Sequence, residues 1–359
     1  MSNTIEYKDL IAFHPGSYIE EIVDDLNITQ AEFAERTEIS GKTISKIING
    51  EERITPTTAN KLSKITGISI QTWLNLQANY DAKVAAITEE QDEDEIAVVE
   101  QIDFSYFKHH KLVPNKRYTI KEKVQALRKL LKTANLFHFT AFNELVSYRR
   151  MTPENELKSI INSNVMLELA SNQARNVTSN KFNKTKLIAA LPEIKEMNIQ
   201  NPEIFYDKLT QTLLNCGIVL IALPKLTGAM LNGATKKFKN NSVLLLITDK
   251  NKYSDVFWFS LVHELGHIIN NDFYSDYTDK EQYKTKEAKA DKFASEFFIS
   301  TQEYNNFVSD EIFTRDSITH FANKLNILPG IVVGRLQTDN IIQFDTLNEL
   351  KTKYEIILW

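Results

Sequence analysis

Cysteine is almost absent. Cys216 stands alone among 359 residues, so neither an intramolecular disulfide nor a cage of thiolates around a metal can be built from this chain. A reducing compartment suits that composition, and the cytoplasm is the expected location. Long apolar runs are missing as well: "CGIVLIALP" and "SVLLLI" fall well short of the ~20 residues that span a bilayer. The opening "MSNTIEYKDLIAFHPG" has no basic segment followed by an apolar one, so no export signal and no membrane partner are expected. Nor is there an excess of positive charge. Forty-two Lys and Arg face 47 Asp and Glu, a formal net charge of -5, which excludes a polybasic coat and requires any nucleic-acid contact to be local. No internal period of roughly 20 to 50 residues is visible.

What the chain does contain is enough apolar side chain, 42%, for two or three ordinary cores. Residues 17–80 read as five short amphipathic helices. Ser17, Thr29, Ser40, Thr55 and Ser69 each precede an apolar-periodic stretch as N-caps, and Pro56 sits at a first helical turn. After Tyr80 comes "ITEEQDEDE", with no core pattern, either a solvated helix face or a linker. The division expected is therefore 1–82, an acidic and helical connecting region over 83–195 with no chemical cluster, and 196–359. Within the connecting region "IKEKVQALRKLLKTANLF" and "SIINSNVMLELASNQARNV" read as helices. Between Asn215 and Thr248 the pattern changes to short β-rich runs, "CGIVLIALP" and "NNSVLLLIT", separated by a segment holding Gly228 and Gly233. The tail, from "DSITHFANKLNILPGIVVGRLQ" on, returns to helices. The class is α+β, mainly α.

The chemistry concentrates in "FWFSLVHELGHIINNDF", residues 257–273. Two histidines four apart share a helical face, and the glutamate beside the first reaches the same point in space. Zinc takes neutral imidazole, and a catalytic site needs three protein ligands and an open position for water. His263 and His267 provide two. The third must come from another element, and "TKEAKADKFASEFF" offers Glu287 on an apolar helix. Asp291, four residues on, shares its face and can accept the outer N–H of a ligand histidine. Glu264 is then left uncoordinated beside the water, as general base for amide hydrolysis. The competing reading, two packed core histidines with surface acids, leaves this arrangement of five polar groups unexplained.

"DVFWFSLVHELGHIIN" followed by "KEAKADKFASEFF" resembles the ImmA/IrrE family of bacterial metallopeptidases. That resemblance implies a gluzincin-like domain with a small β-sheet, Zn2+ on His263, His267 and Glu287, Glu264 as base and Asp291 behind the ligands. "LTGAMLNGATKKFKNNSVLLLIT" is similar to that family's glycine-containing segment and strand, an edge strand to which a substrate backbone would add. This sequence departs from the family where "FFIS" ends the second helix. Neither motif supplies the group that polarises the substrate carbonyl; Tyr274, Tyr283 and His320 are the candidates.

At the other end, "ITQAEFAERTEISGKTISKIINGEERITPTTANKLSKITG" holds two short helices with helix-turn-helix spacing. Phe33, Ala34, Ile39, Ile44, Ile47 and Ile48 would pack between them. Ser40, Lys42, Thr43, Ser45 and Lys46 would face outward, with Gln30 and Asn49 placed for phosphates. Residues 1–80 carry seven Lys and Arg against eleven Asp and Glu, so a monomer should bind operator DNA weakly and a homodimer on a palindrome better. "FHPGSYIEEIVDDLNITQAEFAE" and "ITPTTANKLSKITGISIQTWLNLQANYD" resemble Xre/Cro-like proteins, and among them the HigA-type antitoxins. Together the two resemblances imply a transcriptional regulator fused to a zinc endopeptidase that cuts a specific protein, such as a repressor, a toxin or the chain itself, in a toxin–antitoxin, phage or stress-response system. The alternative is a non-enzymatic antitoxin or repressor whose peptidase-fold domain senses a signal or binds a partner.

Overall fold

The computed structural model describes residues 3–141, 153–273 and 280–358, with the side chains of 153–156, 280 and 283 left undescribed. The protein is mainly helical with two small sheets. It divides into two compact units, Met1–Glu95 and Ile96–Trp359, and each has its own core.

The first unit opens with an antiparallel hairpin, β1 (Thr4–Tyr7) and β2 (Leu10–Phe13), which the turn-poor opening sequence does not announce. Five helices follow: α1 (Gly16–Asp25), α2 (Gln30–Thr37), α3 (Gly41–Ile48), α4 (Pro56–Thr66) and α5 (Ile70–Glu100). Thr29, Ser40 and Thr55 cap α2, α3 and α4 through their side-chain oxygens, and Ser69 accepts the Thr72 N–H at the start of α5. Ser17 does not cap. Pro15 occupies the cap of α1, and the Ser17 hydroxyl, inside the first turn, donates back to the His14 carbonyl at 2.9 Å. Ile19, Phe33, Ile44, Ile47, Leu62 and Trp73 form the core. The acidic "ITEEQDEDE" lies within α5 and is helix rather than linker. Its charges are partly used by the hairpin: Lys8 Nζ lies 2.9 Å from Glu90 and 2.7 Å from Asp94, and the Tyr7 hydroxyl donates to Asp94 at 2.6 Å.

The second unit begins with α6 (Phe104–His109), α7 (Ile120–Leu131), α8 (Pro153–Ala174), α9 (Lys184–Glu196) and α10 (Pro202–Asn215). Then come β3 (Ile218–Leu223), β4 (Gly233–Lys237) and β5 (Val243–Thr248), in the spatial order β3-β5-β4. Strand β5 runs parallel to β3 and antiparallel to β4. The remaining helices are α11 (Ser254–Asn270), α12 (Lys280–Phe298), α13 (Thr301–Ser309), α14 (Arg315–Lys324) and α15 (Pro329–Thr338).

Period-2 alternation of β5 divides the core into two layers. Val243, Leu245 and Ile247 join Leu209, Trp258, Leu261 and Leu265 on one face, while Leu244 and Leu246 join Leu127, Ile161, Val165 and Leu169 on the other. Residues 96–141 and α8 therefore supply one face of the sheet's cover rather than a separate connector. The family resemblance implies an edge strand just before the motif helix. It is the central strand instead, paired with β3 on one side and β4 on the other, and all six of its residues are buried, because a strand apolar on both faces needs cover on both. The edge beside it is β4, "GATKK", whose lysines carry little strand signal.

Candidate metal centre

Helix α11 is apolar over most of its surface and packs against β4, β5, α12 and α15. Its start is tied to the C-terminal tail: Ser254 N donates to Thr352 O at 2.8 Å, the Trp258 indole N–H to the Tyr354 hydroxyl at 3.4 Å, and Lys351 Nζ lies 2.8 Å from Asp255 Oδ2, both side chains 8% exposed. None of these clamps is visible as a motif. Facing α12, Gly266 lets the two helices close: a Cβ there would lie 3.1 Å from the Phe293 ring and 3.4 Å from Ala290 Cα. That approach brings Glu287 over the histidines, and α12 needs small residues such as Ala290 and Ala294 on the same face.

At the contact, Nε2 of His263 and Nε2 of His267 are 3.0 Å apart, and Glu287 places one carboxylate oxygen 3.1 Å from the second and the other 3.5 Å from the first. All three groups are largely buried. Among the described residues they are the one set of histidine and carboxylate atoms close enough to hold a metal ion. The donor set fits zinc: bonds of about 2.0–2.1 Å in a tetrahedron set ligand atoms about 3.3 Å apart. Two imidazole nitrogens and a carboxylate so placed call for a cation between them. Although burial opposes it, the Asp291 and Glu287 carboxylates push His263 up to about 10. Burial would raise Glu287, but the two imidazoles hold it well below the usual carboxylate range.

Asp291, one turn further along α12, has Oδ1 3.0 Å from Nδ1 of His263. An N–H on Nδ1 directed at that carboxylate leaves the Nε2 lone pair for the metal position. Glu264 is buried, and burial pushes its carboxyl up against the pull of His267 and His263. It lies against the first residue of β4: a Cβ on Gly233 would come within 2.7 Å of Glu264 Cγ and 2.9 Å of Oε1. In the sequence Gly233 marks only a break between strands. Its role as the open wall beside Glu264 needs the fold, since nothing nearby in the chain points to residue 264. Tyr274 lies outside the described residues, as does the side chain of Tyr283, and His320 is exposed on α14.

In the first unit the structure places every proposed DNA-facing residue on the outside. Gln30, Ser40, Lys42 and Asn49 are exposed, and Thr43, Ser45 and Lys46 half-exposed, while Phe33, Ala34, Ile44, Ile47 and Ile48 are buried beneath them. Ser40 is already engaged: its oxygen accepts the Thr43 N–H at 3.1 Å and its hydroxyl donates to Thr43 Oγ1 at 2.9 Å. Asn49 Nδ2 reaches Ser45 Oγ at 3.5 Å. Lys42 and Lys46 extend from this face with no ion pair among the described residues.

Comparison with known proteins assigns both ends. A helix-turn-helix family matches residues 19–73, and a peptidase family described as the IrrE N-terminal-like domain matches residues 218–336. Neither match extends over residues 74–217. The chain is 46% identical over 63 residues to YddM, an uncharacterized HTH-type transcriptional regulator of Escherichia coli strain K12, covering 18% of this chain and 67% of that protein. It is 32% identical over 92 residues to virulence-associated protein I of Dichelobacter nodosus, covering 25% of this chain and 82% of that protein. Among solved structures, an addiction-module antidote protein of a HigA family from Coxiella burnetii is 35% identical, covers 21% of this chain and 82% of its own, and has a TM-score of 0.20. The first match contains Gln30 to Asn49, and the second contains Gly233, His263, Glu264, His267, Glu287 and Asp291.

Proposed function

Because the chain belongs to the helix-turn-helix regulators and carries an IrrE N-terminal-like domain, we propose that it is a DNA-binding regulator bearing a zinc-dependent endopeptidase. The observation that carries the enzymatic half is the convergence of His263, His267 and Glu287, with a buried carboxyl, Glu264, next to them in the chain. Zinc on those three groups would supply a Lewis acid that lowers the pKa of water and polarises the scissile carbonyl.

The protein's own groups do the rest. Asp291 holds the His263 ring with Nε2 inward. Glu264, its carboxyl raised by burial, accepts a proton from the attacking water and returns it to the departing amine nitrogen as the C–N bond breaks. Strand β4 pairs with β5 alone among the described strands, so its outer edge offers backbone N–H and C=O groups to an extended peptide. The substrate class that fits a reader and a cutter on one chain is a regulatory protein, whether a repressor, a toxin or a second copy of this protein. In the first unit, Lys42 and Lys46 would contact operator DNA from α3, with Gln30 and Asn49 at phosphates, as a homodimer on a palindrome.

The test is metal analysis joined to cleavage of a peptide library read by mass spectrometry. Purified protein should hold about one zinc per chain, lost in a His263→Ala, His267→Ala variant. Glu264→Gln should retain the metal and lose cleavage by about 10²- to 10⁴-fold. A metal-free preparation with both histidines intact sinks the proposal, and undiminished cleavage by Glu264→Gln removes that residue from the base role.

A further inference from the structure

The chain as a whole is acidic, yet one stretch of the second unit is strongly basic. Residues 104–135 hold nine Lys and Arg, at 108, 111, 116, 117, 121, 123, 128, 129 and 132, against a single acid, Glu122, in a chain of net charge -5. This stretch comprises α6, the connection after it, and α7. Glu122 is committed locally, to Lys116 Nζ at 2.9 Å and to the Thr119 capping box. Lys111, Arg117, Lys121, Lys129 and Lys132 are exposed and form no ion pair with a described residue.

The periodicity of α7 collects these charges. Val124, Leu127 and Leu131 are buried in the core of the unit. Lys121 and Lys129 lie on the opposite side at a spacing of eight, which shares a helical face about 12 Å long, and Lys132 follows as the exposed C-cap. Arg117 precedes this row and Lys111 lies earlier in the connection, while Lys108 and Lys123 are half-exposed. A solvated helix face ordinarily mixes both signs. This one carries a single acid, Glu122, already paired with Lys116, and a ridge so dominated by one sign attracts a polyanion.

We infer that the α6–α7 ridge is a second nucleic-acid contact, one that binds duplex DNA through its phosphates without reading sequence. It rests on the reading of the first unit as a DNA-binding domain, because a chain that brings one unit to DNA holds the other at high local concentration beside the same polymer. The residues support phosphate binding rather than base reading: lysines on a convex helix meet the backbone as point charges, while Asn and Gln forks that read base edges are lacking on this face apart from Gln125. An anionic membrane fits less well. Ile120, Ala126 and Leu130, the remaining apolar residues of α7, pack against the core, which leaves no apolar face to insert.

The experiment uses the full chain and a labelled duplex of unrelated sequence, titrated at several salt concentrations. Three forms are compared with wild type: Lys121→Glu, Lys129→Glu, Lys132→Glu together; the same three positions changed to Arg; and Lys42→Ala with Lys46→Ala. The Glu triple should weaken binding at least about tenfold and reduce the slope of log K against log salt by about one per lysine, while the Arg triple binds as wild type. The α3 double variant should keep a measurable part of the binding to this duplex. Unchanged affinity and slope in the Glu triple overturn the inference. So does binding to phosphatidylglycerol vesicles that the Glu triple abolishes while duplex binding persists, which would assign the ridge to a membrane surface. Loss of all duplex binding in the α3 double variant alone would place the whole DNA contact in the first unit and also overturn it, without touching the reading of that unit.

Discussion

Glu264 and Gly233 show how two residues thirty-one apart in the chain make one device. The carboxyl is buried, raised by that burial, and separated from the edge strand only by the absence of a side chain at 233. Gly233→Ala should therefore displace Glu264 while leaving His263, His267 and Glu287 in place. Zinc content is expected to stay near wild type and cleavage to fall at least about tenfold; equal cleavage would mean the wall has room to yield. His14 offers a pH test in the other unit. It is 2% exposed, its Nδ1 accepts the Gly16 N–H at 3.0 Å, and burial lowers its pKa from 6.5 against the pull of Asp81. A histidine depressed in the folded state favours the neutral ring, so its contribution is present above about pH 6.5 and lost as pH falls through the folded value. The melting transition of the first unit should drop between pH 7.5 and pH 5, and by less in His14→Gln. An identical drop in both would remove His14 as the cause.

At the scale of elements, α11 is held at both ends of its task. Its middle meets α12 through Gly266 and Ala290, and its start is fastened to the tail by the Lys351–Asp255 pair. Lys351 also donates to Gln337 Oε1 at 2.7 Å, which connects the tail to α15. Removing one partner of a buried pair leaves an uncompensated charge, at a cost of about 3–5 kcal/mol. Lys351→Met should accordingly lower the urea midpoint of the second unit and weaken zinc retention, whereas Lys351→Met with Asp255→Leu should recover much of the stability. A single variant as stable as wild type would show that the pair contributes nothing. The same scale explains where the sequence is silent: "VLLLIT" looks like any short strand, and only its pairing with β3 on one side and β4 on the other makes it central.

At the scale of the whole molecule, two cores imply two melting events. A metal ion held by His263, His267 and Glu287 would bind only the folded second unit, and ligand linkage would add about 4 kcal/mol with zinc at a thousand times its dissociation constant. Chelation should lower the second unit's transition and leave that of the first where it was. A shift of both together would mean that the units unfold as one. The charge is likewise distributed by unit, with an acidic helix-turn-helix unit and a basic ridge in an otherwise acidic second unit. A net charge of -5 conceals both.

The sequence by itself determined the class, the helix-turn-helix core and the grouping of His263, His267 and Glu287. Helical periodicity and capping are local, and a pair of histidines four apart needs nothing beyond one helix to share a face. Asp291 was also legible, because it stands at the same spacing from Glu287. Tertiary structure alone decided which strand forms the edge, that Ser17 is not a cap, that the acids of α5 hold a hairpin, and that Gly233 opens the space for Glu264. Apart from Ser17, whose hydroxyl turns back to the nearby His14 carbonyl, each of these depends on a partner far away in the chain or on strand neighbours on both sides, and neither leaves a period in the sequence to be read.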